Sequence, residues 1–264
     1  MPMDELLVAS HHSPHQSFLS SFKYIGTNLC GMKFVRVKVL TIVQETPDTK
    51  TFTLKYPGVF SFVPGQFVMI RLPGDPDQTA KRAYSIASVP NEQGTFQITF
   101  NLVPGGRMSS RLYNIKEGDE LEAAGPFGNF TFSDKADILV FIGGGTGIAP
   151  LRCMLQYALQ QQLPKQLVLL YTVRRPQDII YRAELETLDQ NHQNVTYYQT
   201  ITRLDEAPWN GATGRITKER IMEVVSDPTK ALFFLCGSPE LVTAFKEMLQ
   251  DLGVTAKQIQ HEQW

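Results

Sequence analysis

The chain has 264 residues, with 25 lysine and arginine residues against 26 aspartate and glutamate, a formal net charge of −1. That balance gives no whole-chain field to attract nucleic acid or an anionic membrane, and the length suffices to bury roughly 70–75% of the unfolded surface in two domains of ordinary size. Three widely separated cysteines, Cys30, Cys153 and Cys236, argue against a disulfide framework and against an iron–sulfur cluster held by four thiolates of this chain, and point to a reduced, cytoplasmic setting.

Residues 1–31 are polar and mixed, with no sustained apolar period, and read as a flexible leader outside the fold. Within them His11-His12-Ser13-Pro14-His15 has neither acidic or cysteine neighbours nor the spacing of a zinc module, so no metal site is expected. The start, Met1-Pro2-Met3-Asp4-Glu5, lacks the basic n-region of a secretory signal, and no apolar run reaches the ~18–20 residues that span a bilayer. The expectation is a soluble protein.

Residues 32–133 predict an antiparallel β-barrel. Short strands are expected at Phe34–Val39, Thr51–Leu54, Phe67–Ile70, Phe96–Phe100 and Glu120–Glu122, from their alternation and their content of β-branched and aromatic residues. Pro64-Gly65, Pro73-Gly74, Pro104-Gly105-Gly106 and Gly125-Pro126-Phe127-Gly128 supply turns between them.

Residues 134–264 change rhythm to strand, glycine-rich turn and helix. Ile138–Ile142, Gln166–Thr172 and Ala231–Cys236 read as strands buried on both faces, and Val195–Ile201 as a more polar one. Helices are expected at Leu151–Gln161, Tyr181–Asp189, Thr217–Val225 and Pro239–Leu252. This alternation predicts an α/β domain with a parallel sheet, whose ligands bind outside the carboxyl ends of the strands. Gly143–Pro150 and Cys236–Pro239 both follow apolar strands and are expected to line one crevice.

Two segments carry the chemistry. Gly145-Thr146-Gly147-Ile148-Ala149-Pro150 departs from the dinucleotide fingerprint, with Pro150 at the third glycine position. Its glycines would still let backbone N–H groups approach a pyrophosphate, and Pro150 suits a first helical turn; the competing reading is a tight strand–helix turn with no ligand. Arg82-Ala83-Tyr84-Ser85 by itself reads as an edge strand, yet it offers a phosphate-pairing fork, a flat ring and a hydroxyl donor. Downstream, Gly106-Arg107-Met108-Ser109 offers small residues and hydroxyls for a second phosphate contact.

Arg82 to Ser88, Gly106-Arg107-Met108-Ser109, Gly145 to Pro150, Cys236-Gly237-Ser238-Pro239 and Glu262-Gln263-Trp264, in this order, resemble the ferredoxin–NADP reductase-type flavoproteins over roughly residues 32–264. The resemblance implies an FAD-binding barrel followed by an NADP- or NAD-binding α/β domain. It implies that Arg82 and its neighbour Ala83 bind the flavin pyrophosphate, Tyr84 stacks on the isoalloxazine, and Ser85 sits near flavin N5. Gly106, Arg107, Met108 and Ser109 would close the phosphate site. Gly145, Thr146 and Gly147 would meet the nicotinamide dinucleotide, with Cys236 and Gly237 beside the nicotinamide ring. Glu262 would serve the flavin's proton balance, and Trp264 would cover its outer face. A buried strand end would also carry Cys236 simply as a small hydrophobe.

For the choice of nicotinamide, Arg174-Arg175 follows one strand and Thr202-Arg203 the next. Arg174, Thr202 and Arg203 resemble the hydroxyl and cations that hold the 2′-phosphate of NADP in this family, whereas Trp209-Asn210-Gly211-x-x-Gly214 resembles reductases that use NADH. Without a second redox motif, electrons are expected to pass to a separate carrier, ferredoxin or flavodoxin, with an oxygenase component, a ferric complex or free flavin as competing acceptors. A flavin-binding electron-transfer subunit of a larger complex stands as a further alternative.

Overall fold

The computed structural model describes residues 32–74, 80–204 and 208–263; the expected leader with its histidines, and Trp264, lie outside the described residues. From Lys33 onward the chain forms one compact unit. Its first sheet contains β1 (Val35–Thr46), β2 (Thr49–Lys55), β3 (Phe67–Arg71), β4 (Arg82–Ser85), β5 (Thr95–Asn101) and β6 (Glu120–Phe127), in the order β4-β3-β6-β1-β2-β5. A bridge between Ile86 and Ile98 joins the two ends of this order and closes the barrel. Alternation drives it: Val37, Val39, Phe52, Leu54, Val68, Ile70, Phe96 and Ile98 point to one core with almost no exposure, each fully buried large side chain contributing about 1.5–3 kcal/mol.

Two expectations are corrected here. Gly125-Pro126-Phe127 is not a separate turn but the end of β6, where a register shift between Phe67 and Met69 lets Phe127 pair with Phe67 while Ala124 pairs with Met69. The turn after β5 runs straight into helix α1 (Arg107–Tyr113), which the glycines of Pro104-Gly105-Gly106 conceal in the sequence.

The second sheet is parallel and contains β7 (Ile138–Gly144), β8 (Gln166–Val173), β9 (Val195–Ile201), β10 (Ala212–Thr213), β11 (Ala231–Gly237) and β12 (Ile259–Gln263), in the order β10-β9-β8-β7-β11-β12. Between β7 and β8 lies helix α2 (Ile148–Gln160). The helix expected over residues 181–189 is two single turns, α3 (Arg182–Leu185) and α4 (Leu188–Asn191): Tyr181, left-handed at φ 57°, holds the start to Arg182, and Thr187, at φ −109° and ψ 1°, interrupts the helix between them. Helices α5 (Lys218–Val224) and α6 (Pro239–Asp251) are capped by Thr217 and Ser238, whose side chains accept from Arg220 N and Leu241 N. Strand β12, unforeseen in the sequence because His261-Glu262-Gln263 is polar, pairs with β11 at the sheet's edge.

Successive strands build outward from β7 to β8 and β9, and the chain then returns to β11 on the other side of β7. That reversal makes the gap between the ends of β7 and β11 the topological switch point where a parallel sheet opens a crevice. The two halves also share core residues. Ala87 and Phe130 of the barrel pack into the α/β core, and Cys153 of α2 packs into the barrel core, where its thiol donates to Ser88 O at 2.9 Å. Among the described residues no helix is long and apolar enough to cross a membrane.

Candidate active site

A cleft of about 530 Å³ opens where the barrel meets the carboxyl edge of the parallel sheet. It brings together residues far apart in the chain: Arg82, Ala83, Tyr84 and Ser85 from β4, Gly106 to Ser109 from the start of α1, Thr146 from the glycine loop, and Glu262 and Gln263 from β12. Strand β5 adds Thr99, Phe100 and Asn101, which carry no motif and were not singled out from the sequence.

Strand β4 pairs with β3 only, Ser85 opposite Phe67 and Tyr84 opposite Val68, so its outer side is left to the cleft. Arg82 is exposed and donates one hydrogen bond, 2.9 Å, to Lys81 O. The Tyr84 ring lies 5.8 Å from that of Phe100 at 57°, and burial pushes its hydroxyl up to about 12 against the opposing pull of Arg82, so the ring is a neutral platform across the physiological range.

The turn from Val103 to Ser109 is tight enough to require glycine at 106: a Cβ there would stand 2.5 Å from Ser109 Oγ and 2.9 Å from Val103 O. The Ser109 hydroxyl accepts from Val103 N at 3.1 Å, so it braces the turn. Gly106 caps α1 without a side-chain bond, leaving first-turn N–H groups without intrahelical partners.

At the other side of the cleft, Ser85 Oγ donates to Glu262 Oε2 at 3.1 Å across 177 positions of sequence. Burial raises the Glu262 carboxyl above its usual range, more than the Ser85 hydrogen bond lowers it. Glu262 is the register partner of Cys236 on β11, and burial, aided by the Glu262 charge, pushes the Cys236 thiol far up. Cys236 is fully buried within the α/β core, at the end of β11.

The glycine loop and the end of β11 touch through their backbones. A Cβ on Gly147 would stand 2.2 Å from Cys236 O, and Gly143 pairs with Cys236 in the sheet. Gly145 takes φ +54° and faces open space, while its carbonyl is held by the buried Tyr171 hydroxyl, which donates at 3.0 Å. Gly237 lies beside Gly144 N. Further out, Arg203 N donates to Arg174 O at 2.8 Å, which sets these two exposed arginines side by side, and Thr202 Oγ1 donates to Val173 O at 3.3 Å. These residues belong to the carboxyl ends of β8 and β9, outside the cleft. Tyr171 could have been suspected only from its place at the end of a buried strand.

The arrangement fits both groups that the resemblance implies. The cleft joins the apolar and aromatic surfaces of Phe67, Tyr84, Phe100 and Met108 to polar groups from Arg82, Ser85, Ser109, Thr146 and Glu262, the mixture that a flat ring carrying phosphates requires. Along the glycine loop, the buried Thr172 Oγ1 has no hydrogen-bond partner among the described residues, and Thr172 lies against Gly144; an orphaned hydroxyl at a strand's carboxyl end is the kind of group a bound dinucleotide satisfies.

Residues 36–132 match the oxidoreductase FAD-binding domain and residues 141–247 the oxidoreductase NAD-binding domain. The chain is 35% identical over 223 residues to a glycine betaine monooxygenase reductase subunit of Pseudomonas aeruginosa (strain UCBPP-PA14), covering 82% of this chain and 60% of that one. It is 30% identical over 208 residues to a subunit of the Na(+)-translocating NADH-quinone reductase of Histophilus somni (strain 129Pt), covering 74% and 51%. The chain thus spans between half and three fifths of the length of these curated relatives. Among solved structures, a ferredoxin NADP+ reductase from Neisseria gonorrhoeae with bound FAD and NADP superposes with a TM-score of 0.75 at 25% identity, covering 88% of this chain and 99% of that one.

Proposed function

We propose a function from the premise that this chain belongs to the ferredoxin–NADP reductase-type flavoprotein oxidoreductases, with an FAD-binding domain followed by an NAD-binding domain. It is an NAD(P)H-dependent flavoprotein reductase that passes electrons to a separate one-electron carrier, ferredoxin or flavodoxin. The observation that carries this reading is the Ser85–Glu262 hydrogen bond, which joins the strand assigned to the flavin to the edge strand beside Cys236.

Bound together, the nicotinamide and the flavin would supply hydride and single-electron chemistry. The chain's own residues bind, orient and handle protons. Arg82 pairs with the pyrophosphate, and the Gly106–Ser109 turn closes around it. Tyr84 presents its ring to the isoalloxazine. Ser85 Oγ holds Glu262 Oε2 in place, a carboxyl placed to take the proton that a reduced flavin would give up as its electrons leave. Thr146 and Gly147 set the opposite wall, and Cys236 fills the space behind it. We assign Trp264 the outer face of the flavin.

For the donor, we read NADPH ahead of NADH, supported by the adjacency of Arg174 and Arg203. Arg203→Ala is expected to lower the NADPH-to-NADH ratio of kcat/KM by roughly 10-fold, the worth of one charge-assisted bond; an unchanged ratio removes Arg203 from the 2′-phosphate site. We place the reductase in the cytoplasm, in keeping with the free buried thiols of Cys153 and Cys236, and assign it no membrane or nucleic-acid partner.

The likeness to the glycine betaine monooxygenase reductase subunit favours a second reading, in which the acceptor belongs to an oxygenase system. Likeness to the NADH-quinone reductase subunit favours a third, a subunit active only inside a larger complex. Anaerobic titration of the purified yellow protein with NADPH and with NADH decides the core of the matter. The reductase loses its visible flavin absorbance with at least one nicotinamide and then reduces ferricyanide unaided. A protein that neither donor bleaches is not a free-standing reductase.

A further inference from the structure

One polar node at the junction of the two halves is unaccounted for by cofactor contacts. Arg152, on the second turn of α2 and so just beyond the glycine loop, has a side chain only 13% exposed. Its Nη1 donates to Ala87 O at 2.8 Å and to Gln97 Oε1 at 3.0 Å, both on the barrel. Its Nε donates to both carboxylate oxygens of Glu184, at 2.9 and 2.8 Å, and Gln156 Nε2 donates to the same carboxylate at 2.8 Å. Ala87 lies two residues past Ser85, and its N–H donates to Gln97 O. A single guanidinium therefore ties the helix that begins at the glycine loop to the strand end that carries Ser85.

Tyr181 completes the node from the other direction. Its ring lies 4.4 Å from the Arg152 guanidinium. Its N–H donates to Glu45 Oε2 on β1 at 3.1 Å. Its hydroxyl shares a hydrogen bond with Thr99 on β5, which in turn shares one with Thr51 on β2 at 2.8 Å, and Thr99 lines the cleft. Tyr181 makes these contacts in the left-handed region, φ 57° and ψ 31°, where a bulky residue with a Cβ is rarely found. Such a conformation persists when its surroundings over-determine it; here two barrel groups, Glu45 and Thr99, and the arginine do so.

We propose that Arg152 and Tyr181 are positioning residues that fix the spacing between the two walls of the crevice, the glycine loop on one side and Ser85 with Thr99 on the other. Hydride transfer between stacked rings depends on that spacing, whereas binding of either cofactor to its own half does not. The inference rests on the reductase reading above and adds to it a rigid junction that sets rate without setting affinity.

The test uses the FAD-loaded full chain with Arg152→Met, Arg152→Lys and Tyr181→Phe. For each variant, dissociation constants for FAD and nicotinamide, the nicotinamide–flavin charge-transfer absorbance and the bleaching rate at saturating nicotinamide are measured. Arg152→Met is expected to slow saturated bleaching roughly 10- to 100-fold and weaken the charge-transfer band, since about 1 Å of misplacement costs that much, with both dissociation constants held within about twofold. Tyr181→Phe, which keeps the ring and loses the bond to Thr99, is expected to slow it by roughly threefold or more. Arg152→Lys keeps the charge and loses the fork, and is expected to behave like Arg152→Met rather than rescue it. A rate and band at wild-type level, or a loss that vanishes at saturating cofactor, or a lowered melting temperature alone, overturns the proposal and leaves the node an ordinary structural contact. Should Arg152→Met not fold, Arg152→Lys and Tyr181→Phe decide in the same way. Failure of either nicotinamide to bleach the wild-type protein defeats the reductase reading instead.

Discussion

Glu262→Gln is expected to slow reoxidation of the reduced flavin by ferricyanide roughly 100-fold, the lower end of what a positioned proton acceptor contributes, while FAD stays bound and bleaching by nicotinamide, a hydride step that consumes no proton, keeps its rate. The substitution keeps the shape of the side chain and an oxygen for Ser85 Oγ to donate to, so the 3.1 Å contact survives and only the titratable carboxyl is lost. Burial raises the carboxyl above its usual range. Glu262 therefore stays protonated to a higher pH than an exposed glutamate, and a reoxidation rate that needs its carboxylate to take the proton leaving the flavin is low on the acid side and rises as pH rises through the raised value. The wild type should show that rising limb, and Glu262→Gln should show a low rate without it. Stability runs the other way: what the neutral carboxyl contributes is present below the ordinary glutamate pKa and is lost as pH rises through the raised one, so the variant should melt no lower than the wild type at neutral pH. An unaltered rate and an unaltered limb would remove Glu262 from proton handling.

Gly147→Ala should be the most damaging methyl group that can be added to the glycine loop. The added Cβ would stand 2.2 Å from Cys236 O, 2.6 Å from Cys236 C and 3.0 Å from Gly237 N, all backbone atoms that no side-chain rotation can move. Either β11 or the glycine loop must shift, and overpacking of this kind costs about 1–3 kcal/mol of stability. Since the loop is one wall of the crevice, a shift of about 1 Å also costs roughly 100-fold in hydride transfer. The conformation itself is not the obstacle, because Gly147 sits at φ −61° and ψ −14°, which alanine adopts freely. Gly118→Ala is the contrasting control: its Cβ would meet nothing within 4 Å, but φ +93° strains any other residue, and Gly118 does not line the cleft, so its effect should be confined to local stability. Equal, small effects of the two substitutions on bleaching would discard the crevice geometry.

The motifs readable in the chain were those in which chemistry and local backbone coincide. Arg82 to Ser85 alternates like a strand and forms one; Gly145-Thr146-Gly147 breaks a strand and starts a helix. Both halves were legible from periodicity, because buried parallel strands such as Ile138–Gly144 have unbroken apolar runs and barrel strands alternate. Where polar residues form edge structure, the pattern is silent. Strand β12 is Ile-Gln-His-Glu-Gln, whose one buried residue leaves no period to detect, and α1 hides behind two glycines.

Sequence alone thus determined the fold class, the two domain types and most residues of the cleft, since hydrophobic period and glycine placement are local consequences of burial and of backbone reach. Tertiary structure alone decided what those residues do to each other. Only closure of the barrel against the parallel sheet brings Ser85 within hydrogen-bonding distance of Glu262, turns an ordinary helical Arg152 into a buried tie between two walls, and presses Gly147 on the Cys236 carbonyl. Each depends on contacts between segments tens to nearly two hundred positions apart, and such distances carry no periodic signal in a chain.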